Sequence, residues 1–132
     1  ISTGFYTRTL VYDRQGRLDE AVEQIEALIL QSPQDAVLWF ELGVLQIRAG
    51  DKDLARVAFE SALERAPTYA NAKWYLAALY EEAGEIDSAI LQLEDLLILN
   101  PEDSTIQDKL DLLRQGQIDA EAAEEVEPLP GE

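Results

Sequence analysis

Apolar residues recur at intervals of three and four in two neighbouring stretches near the middle of the chain. The first stretch covers residues 36–48 and the second covers 52–65, and this spacing is typical of amphipathic helices. Gly50 lies between them, where it can take the left-handed conformation that ends a helix and reverses the chain. Pro67 ends the second helix because proline cannot continue the hydrogen-bond ladder. The pattern therefore predicts two helices joined by a tight turn.

The same signals return at a fixed interval of 34 residues. Four columns hold the same residue three times, namely Gly16, Gly50 and Gly84; Asp19, Asp53 and Asp87; Ala21, Ala55 and Ala89; and Pro33, Pro67 and Pro101. The period predicts three helix–turn–helix units at 2–35, 36–69 and 70–103, and no segment shows the sustained alternation of a strand. We expect an all-α fold of stacked units, because neither helix of a unit can bury its apolar face alone.

A further helix is predicted at 104–114, in register with the first helix of another unit. Its outer side carries Gln107, Asp108 and Asp111, the polar surface that a capping helix presents to solvent. We expect this helix to break at Gly116 without a partner helix. The tail from 115 to 132 holds six acidic residues, two prolines and no basic residue, a composition typical of disordered segments.

The unit at 36–69 has a distinctive set of spaced residues, which are Trp39, Leu42, Gly43, Ala55, Phe59 and Pro67. In this spacing it resembles the tetratricopeptide repeat (TPR) family, whose signature has tyrosine where this chain has Gln46. The third unit keeps Leu76, Tyr80, Ala89 and Pro101, and the first keeps Tyr12, Ala21 and Pro33. Small residues such as Gly43 would let paired helices approach closely beside large residues such as Phe59. The resemblance covers residues 2–103 and implies a right-handed α-solenoid whose concave surface holds short peptides or partner segments.

Composition narrows the classes of function. The hydrophobic fraction of 47% is sufficient for a packed core. The chain has no cysteine and no histidine, which excludes disulfides, thiol nucleophiles, histidine bases and the commonest metal ligand. Carboxylate pairs such as Glu81 with Glu85 are expected to be solvated, and no phosphate-binding or calcium-binding loop occurs. We therefore predict no enzymatic activity, no cofactor and no metal.

The numbers of acidic and basic residues indicate which classes of partner the chain could bind. Acidic residues number 27 against 10 basic ones, which argues against nucleic acid. The longest apolar run is seven residues, at 74–80, whereas a membrane span needs roughly eighteen, so we expect no membrane insertion. Residues 74–108 hold nine acidic residues and no lysine or arginine, which favours a basic partner or a basic segment of the same polypeptide. The alternative, that the acidic surface serves only solubility, stays open.

The concave surface implied by the resemblance would be formed by one face of the first helix of each unit. The candidate groove residues are Tyr6, Leu10 and Arg14 in the first unit, Val37, Phe40, Val44, Ile47 and Arg48 in the second, and Asn71, Trp74 and Ala78 in the third. Tyr6, Phe40 and Trp74 would form an aromatic row suited to an apolar peptide or helix. The same residues could instead pack neighbouring units together, and the sequence leaves both uses open.

Some members of the resembled family clamp the terminal carboxylate of a peptide with lysine, arginine and asparagine. The equivalent places here hold Tyr6, Leu10, Glu41, Asn71 and Tyr75, none of which is basic. We therefore expect no carboxylate clamp, and an acidic peptide is a poor candidate ligand. The expected partner is a protein or peptide of basic or apolar character.

The leading interpretation is a non-catalytic scaffold that binds a partner peptide or helix in its groove. One alternative is head-to-tail self-association through the solenoid ends, since Phe5, Leu10, Val11 and Tyr12 give the first helix apolar surface. Another is the soluble appendage of a larger bacterial envelope protein. The chain begins with Ile1 and contains no methionine, so we expect a processed form, an internal fragment or an incompletely known sequence. Its compartment would be the bacterial cytoplasm or, for an envelope protein, the periplasmic or extracellular side.

Overall fold

Consecutive helices make up residues 17–125, the part of the chain that the computed structural model describes. They are α1 (Leu18–Gln31), α2 (Ala36–Arg48), α3 (Lys52–Arg65), α4 (Ala70–Glu82), α5 (Ile86–Leu99) and α6 (Ser104–Glu125). Residues 17–125 contain no strand, and the predicted all-α fold is confirmed. The first helix predicted for the unit at 2–35, with candidate residues Tyr6, Leu10 and Arg14, lies outside the described residues.

Each helix packs mainly against the helices that precede and follow it in sequence. Within this stack α2 pairs with α3 and α4 pairs with α5, and α6 packs on α5. The core consists of two clusters of buried residues, and Trp39 packs against both. The largest fully buried side chains come from five different helices; they are Ile25 in the first cluster and Phe59, Leu76, Leu93 and Leu110 in the second. Because successive helices share this core, the faces that look inward are fixed by the 34-residue register.

Small residues allow the closest helix approaches, as predicted. A Cβ atom on Gly43 would lie only 2.6 Å from Cε1 of Phe59, so no larger residue fits without displacing that ring. Ala55 and Ala89 are fully buried. Gly50 and Gly84 close the turns within the second and third units with φ angles of 85° and 79°, a region that favours glycine. The predicted left-handed turn at Gly50 is therefore confirmed.

The predicted break at Gly116 is wrong, because α6 continues through it to Glu125. A glycine inside a helix costs only about 1 kcal/mol relative to alanine, and the flanking residues are mostly good helix formers. Nε2 of Gln117 also donates a hydrogen bond of 2.6 Å to Oδ1 of Asp87, which ties this part of α6 to the start of α5. Disorder is therefore the wrong expectation for residues 115–125, and residues 126–132 lie outside the described part.

Candidate peptide-binding surface

Trp74 lies on α4 at the border of two adjoining cavities and is 38% exposed. We call the surface formed by all residues that line either cavity the Trp74 groove. The apolar cavity has a volume of about 140 Å³ and is lined by Trp74, Ala77, Ala78, Glu81, Leu93 and Lys109. The polar cavity has a volume of about 230 Å³ and is lined by Ala70, Asn71, Trp74, Leu96, Asn100, Asp103, Thr105 and Ile106. The groove thus spans α4, α5 and α6, with Trp74 as its shared wall.

The apolar cavity combines a hydrophobic wall with one polar edge. Ala77 and Leu93 are buried and form part of that wall, and both are held in place by the core between α4 and α5. At the edge, Nζ of Lys109 lies 2.8 Å from Oε2 of Glu81, so the two charges neutralise each other. An engineered cavity of roughly this size, about 150 Å³, accepts a benzene molecule. The apolar cavity therefore has room for one apolar side chain of moderate size, such as leucine.

The polar cavity lies at the start of α6. Oδ1 of Asp103 accepts hydrogen bonds from the backbone N–H groups of Thr105 and Ile106, at 2.9 Å and 3.3 Å, and so caps the helix. Asn71 is exposed at the opposite side, on α4. Its amide group can both donate to and accept from a peptide backbone. This cavity can therefore accept the polar atoms of a peptide backbone.

The predicted groove residues divide into two groups. The structure brings Asn71, Trp74 and Ala78 together on the exposed inner side of α4. Phe40 is instead half-buried, with its ring centroid 5.1 Å from Tyr69, and it also contacts Phe59 and Tyr75. The remaining predicted residues lie on α2 and line neither cavity; Val44 and Ile47 are half-buried against the same core, whereas Val37 and Arg48 are exposed. Phe40 therefore packs against other aromatic residues, whereas the ring of Trp74 is exposed.

Several groove residues on α6 were absent from the predicted set. Thr105 and Lys109 line the two cavities, and Leu112 is 69% exposed one turn further along the helix. The signal that identifies them is the same 34-residue register, which relates Asn71 to Thr105, Tyr75 to Lys109 and Ala78 to Leu112. They were missed because α6 was interpreted only as a cap.

The acidic stretch at 74–108 is partly neutralised by basic residues on either side of it. Five of its nine acids form ion pairs, which are Lys109 with Glu81, Lys52 with Glu82, Arg56 with Glu85, Arg114 with Glu94, and Lys73 with Asp95. The pair of Lys73 with Asp95 lies within one unit. The other four pairs join residues of different units. These basic side chains therefore join neighbouring units, and few of them are available to bind a ligand in the groove.

Glu41 is the acidic residue of α2, and its side chain is half-buried. Burial raises its pKa above the usual value of 4.5, and among residues 17–125 it has no ion-pair partner. Burial also raises the pKa of the nearby Tyr69 phenol, and the charges of Glu41 and Asp35 raise it further. The half-buried carboxylate of Glu41 therefore lies close enough to Tyr69 for its charge to act on the phenol.

Comparison with known families settles the origin of this arrangement. Two family models described as tetratricopeptide repeat match residues 6–70 and 47–113. The chain belongs to the tetratricopeptide repeat family. The resemblance inferred from the signature residues is thereby confirmed.

Curated relatives match only part of the chain. Protein FlbA of Caulobacter vibrioides is 33% identical over 78 residues, which are 59% of this chain and 13% of FlbA. The human PEX5-related protein is 33% identical over 88 residues, which are 67% of this chain and 14% of that protein. The chain therefore spans about one seventh of the length of these relatives.

Solved structures confirm the TPR solenoid. The Yersinia enterocolitica type III secretion translocator chaperone SycD matches with a TM-score of 0.78 at 16% identity, over 87% of this chain and 84% of SycD. SycD is also known in complex with a peptide of the translocator YopD. The first TPR of RPAP3, bound to the HSP90 peptide SRMEEVD, matches with a TM-score of 0.76 at 19% identity, over 88% of this chain and 94% of the other.

Two negative observations apply to residues 17–125. This part has no helix with the length and apolar character that crossing a membrane requires. The same residues contain no group of three or more acidic side chains placed to hold a metal ion.

Proposed function

We propose that this chain is a non-catalytic protein-interaction module that holds a short segment of a partner protein in the Trp74 groove. The observation that carries the proposal is the position of Trp74, an exposed tryptophan that forms one wall of both an apolar and a polar cavity. Tryptophan in a pocket that excludes water is the residue type most enriched at the energetic centres of protein interfaces. An apolar cavity beside a polar one also suits a peptide, whose side chains and backbone differ in polarity.

Solved relatives support the class of function. SycD and RPAP3 have the same fold and were both solved with peptides. The non-catalytic part of the proposal is supported by the absence of histidine and cysteine from the sequence. It is also supported by the ion pair of Glu81 with Lys109, which occupies the carboxylate at the cavity edge.

A display library of short random peptides, selected against the immobilised chain, tests the proposal. Selected peptides should change the fluorescence of Trp74, and their affinity should fall at least about tenfold in Trp74→Ala, as expected for a central interface residue. Leu91→Ala is the matched control, because Leu91 is also an exposed apolar residue on a neighbouring helix but lines neither cavity. The proposal is wrong if no peptide is selected, or if Trp74→Ala and Leu91→Ala bind the selected peptides equally well.

A further inference from the structure

We infer that the segment bound in the Trp74 groove places one aliphatic side chain in the apolar cavity and carries a lysine or arginine next to it. This inference rests on the proposed function and specifies the ligand. It follows from two independent observations: the size of the apolar cavity, and the charges that remain unpaired around it.

The size of the cavity is set by Ala78. The 34-residue register places Ala78 where the preceding unit has the larger Val44, which packs against the core instead of bordering an open cavity. The missing side-chain volume at Ala78 contributes to a space of about 140 Å³ beside Trp74 and Leu93. That volume fits leucine or isoleucine, and a tryptophan side chain would be too large for it. A larger residue at position 78 is therefore expected to fill the cavity without touching the buried core.

The basic residues nearest the groove are already paired. Lys109, which lines the apolar cavity, is paired with Glu81. Lys73, on the same helix as Trp74, has a side chain that is only 12% exposed and lies 3.4 Å from Asp95. An acidic ligand would have to break one of these pairs, so the groove offers it little attraction.

Unpaired charge near the groove is acidic. Asp108 is exposed on α6, between the cavity-lining residues Thr105 and Lys109, and within residues 17–125 it has no ion-pair or hydrogen-bond partner. The acidic cap Asp103 lines the polar cavity. These charges produce a negative potential that attracts a cation on the ligand. A second copy of this chain is a poor occupant, because its net charge is −17.

A peptide array with random flanking residues and a fixed central pair tests the inference. The four central pairs are Leu-Lys, Leu-Gln, Leu-Glu and Ala-Lys, and binding of the whole chain is measured at low and high salt. Leu-Lys peptides should bind best, and replacing leucine by alanine should weaken binding by about tenfold, as expected for the burial of an aliphatic side chain. The advantage of Leu-Lys over Leu-Gln should be about threefold at low salt and should shrink at high salt.

Two pairs of variants assign these preferences to the two features. Ala78→Val should remove the preference for leucine over alanine, whereas Leu91→Ala should keep it. Asp108→Asn should reduce the preference for Leu-Lys over Leu-Gln, whereas Asp111→Asn should not. Asp111 is the matched control because it is also exposed on α6, where it accepts a hydrogen bond from Gln107 away from the cavities.

The outcomes separate the inference from the proposed function. Binding that Trp74→Ala abolishes, but that favours Leu-Glu or shows no preference among the four pairs, would overturn the inference and leave the proposed function standing. A preference for Leu-Lys that Asp108→Asn and Ala78→Val leave unchanged would also overturn it. Failure of all four peptide classes to bind would overturn both.

Discussion

The ring of Phe59 occupies the space that a side chain on Gly43 would need. The nearest ring atom lies 2.6 Å from the position of a Cβ atom on Gly43. Phe59 is fully buried and stacks on Tyr75 at a centroid distance of 5.3 Å, so it has little room to move. This contact between α2 and α3 shows how tightly the two helices of one unit pack together.

Gly43→Ala should therefore destabilise the protein even though alanine favours helix. Overpacking costs about 1–3 kcal/mol and the gain in helix propensity is about 1 kcal/mol, so the net loss should be about 1 kcal/mol. Gly116→Ala is the control, because a Cβ atom there would meet nothing within 4 Å, and it should raise the free energy of unfolding. Urea unfolding followed by circular dichroism measures both, and equal changes of the same sign would contradict the packing argument.

Phe40 and Trp74 should respond differently to truncation, although they occupy equivalent positions in the repeat. Phe40→Ala removes a ring that contacts three other aromatic residues and should cost about 3 kcal/mol. Trp74→Ala removes a partly exposed ring beside existing cavities and should cost about half as much. Thermal unfolding measures both values. A larger loss for Trp74→Ala would mean that Trp74, rather than Phe40, is the structural residue.

The repeat period was sufficient to predict the helices, because helix ends depend on local signals such as Gly50 and Pro67. The predicted boundaries at 36–48 and 52–65 agree with α2 and α3. The difference between Phe40 and Trp74 was not predictable from the period, since it depends on what the following unit places opposite each ring. Phe40 meets Tyr69 and Tyr75. The equivalent positions in the following unit hold Asp103 and Lys109, which line cavities beside Trp74 and leave space there.

The predicted break at Gly116 shows a different limit. Glycine is only a weak helix breaker, and the outcome was decided by a contact between residues 30 positions apart, Gln117 and Asp87. A sequence pattern that is read locally does not contain this information. The same locality explains why the charge of the acidic stretch was overestimated, because its partners, such as Lys52 and Arg114, lie outside it.

Glu41→Gln should stabilise the protein at neutral pH. Because burial raises the pKa of Glu41 in the folded state, that state binds the proton more tightly than the unfolded state does. Ionisation of Glu41 therefore costs stability. This cost is absent below its usual pKa of 4.5, grows as the pH rises from there to the raised pKa, and is constant above it. The difference in free energy of unfolding between variant and wild type should accordingly be positive at pH 7 and small below pH 4.5.

Glu102→Gln controls for the loss of one negative charge from an acidic chain, since Glu102 is exposed before α6. Its effect on stability should be smaller than that of Glu41→Gln at neutral pH. If the two variants show the same pH profile, general charge repulsion rather than the burial of Glu41 is responsible.

The two halves of α6 should differ in their contribution to stability. Ile106, Leu110 and Leu113 are buried against the core, so deleting residues 104–132 should expose α5 and cost at least about 3 kcal/mol. Deleting only residues 115–132 removes the hydrogen bond of Gln117 with Asp87 and should cost about 1 kcal/mol. Urea unfolding of both truncated chains measures the difference, and similar losses would show that the C-terminal half of the helix holds the stack together.

The packing of each helix against its neighbours in sequence has a consequence for how the molecule opens and closes. Most contacts of the described core join helices that are neighbours in sequence, so the entropy lost in closing loops is small and folding is expected to be fast. Folding can nucleate at any helix pair and then propagate to the neighbouring helices. By the same logic, the outermost helices can open while the central pairs stay closed, so protection from hydrogen exchange should be highest in α3 and α4 and decline toward both ends.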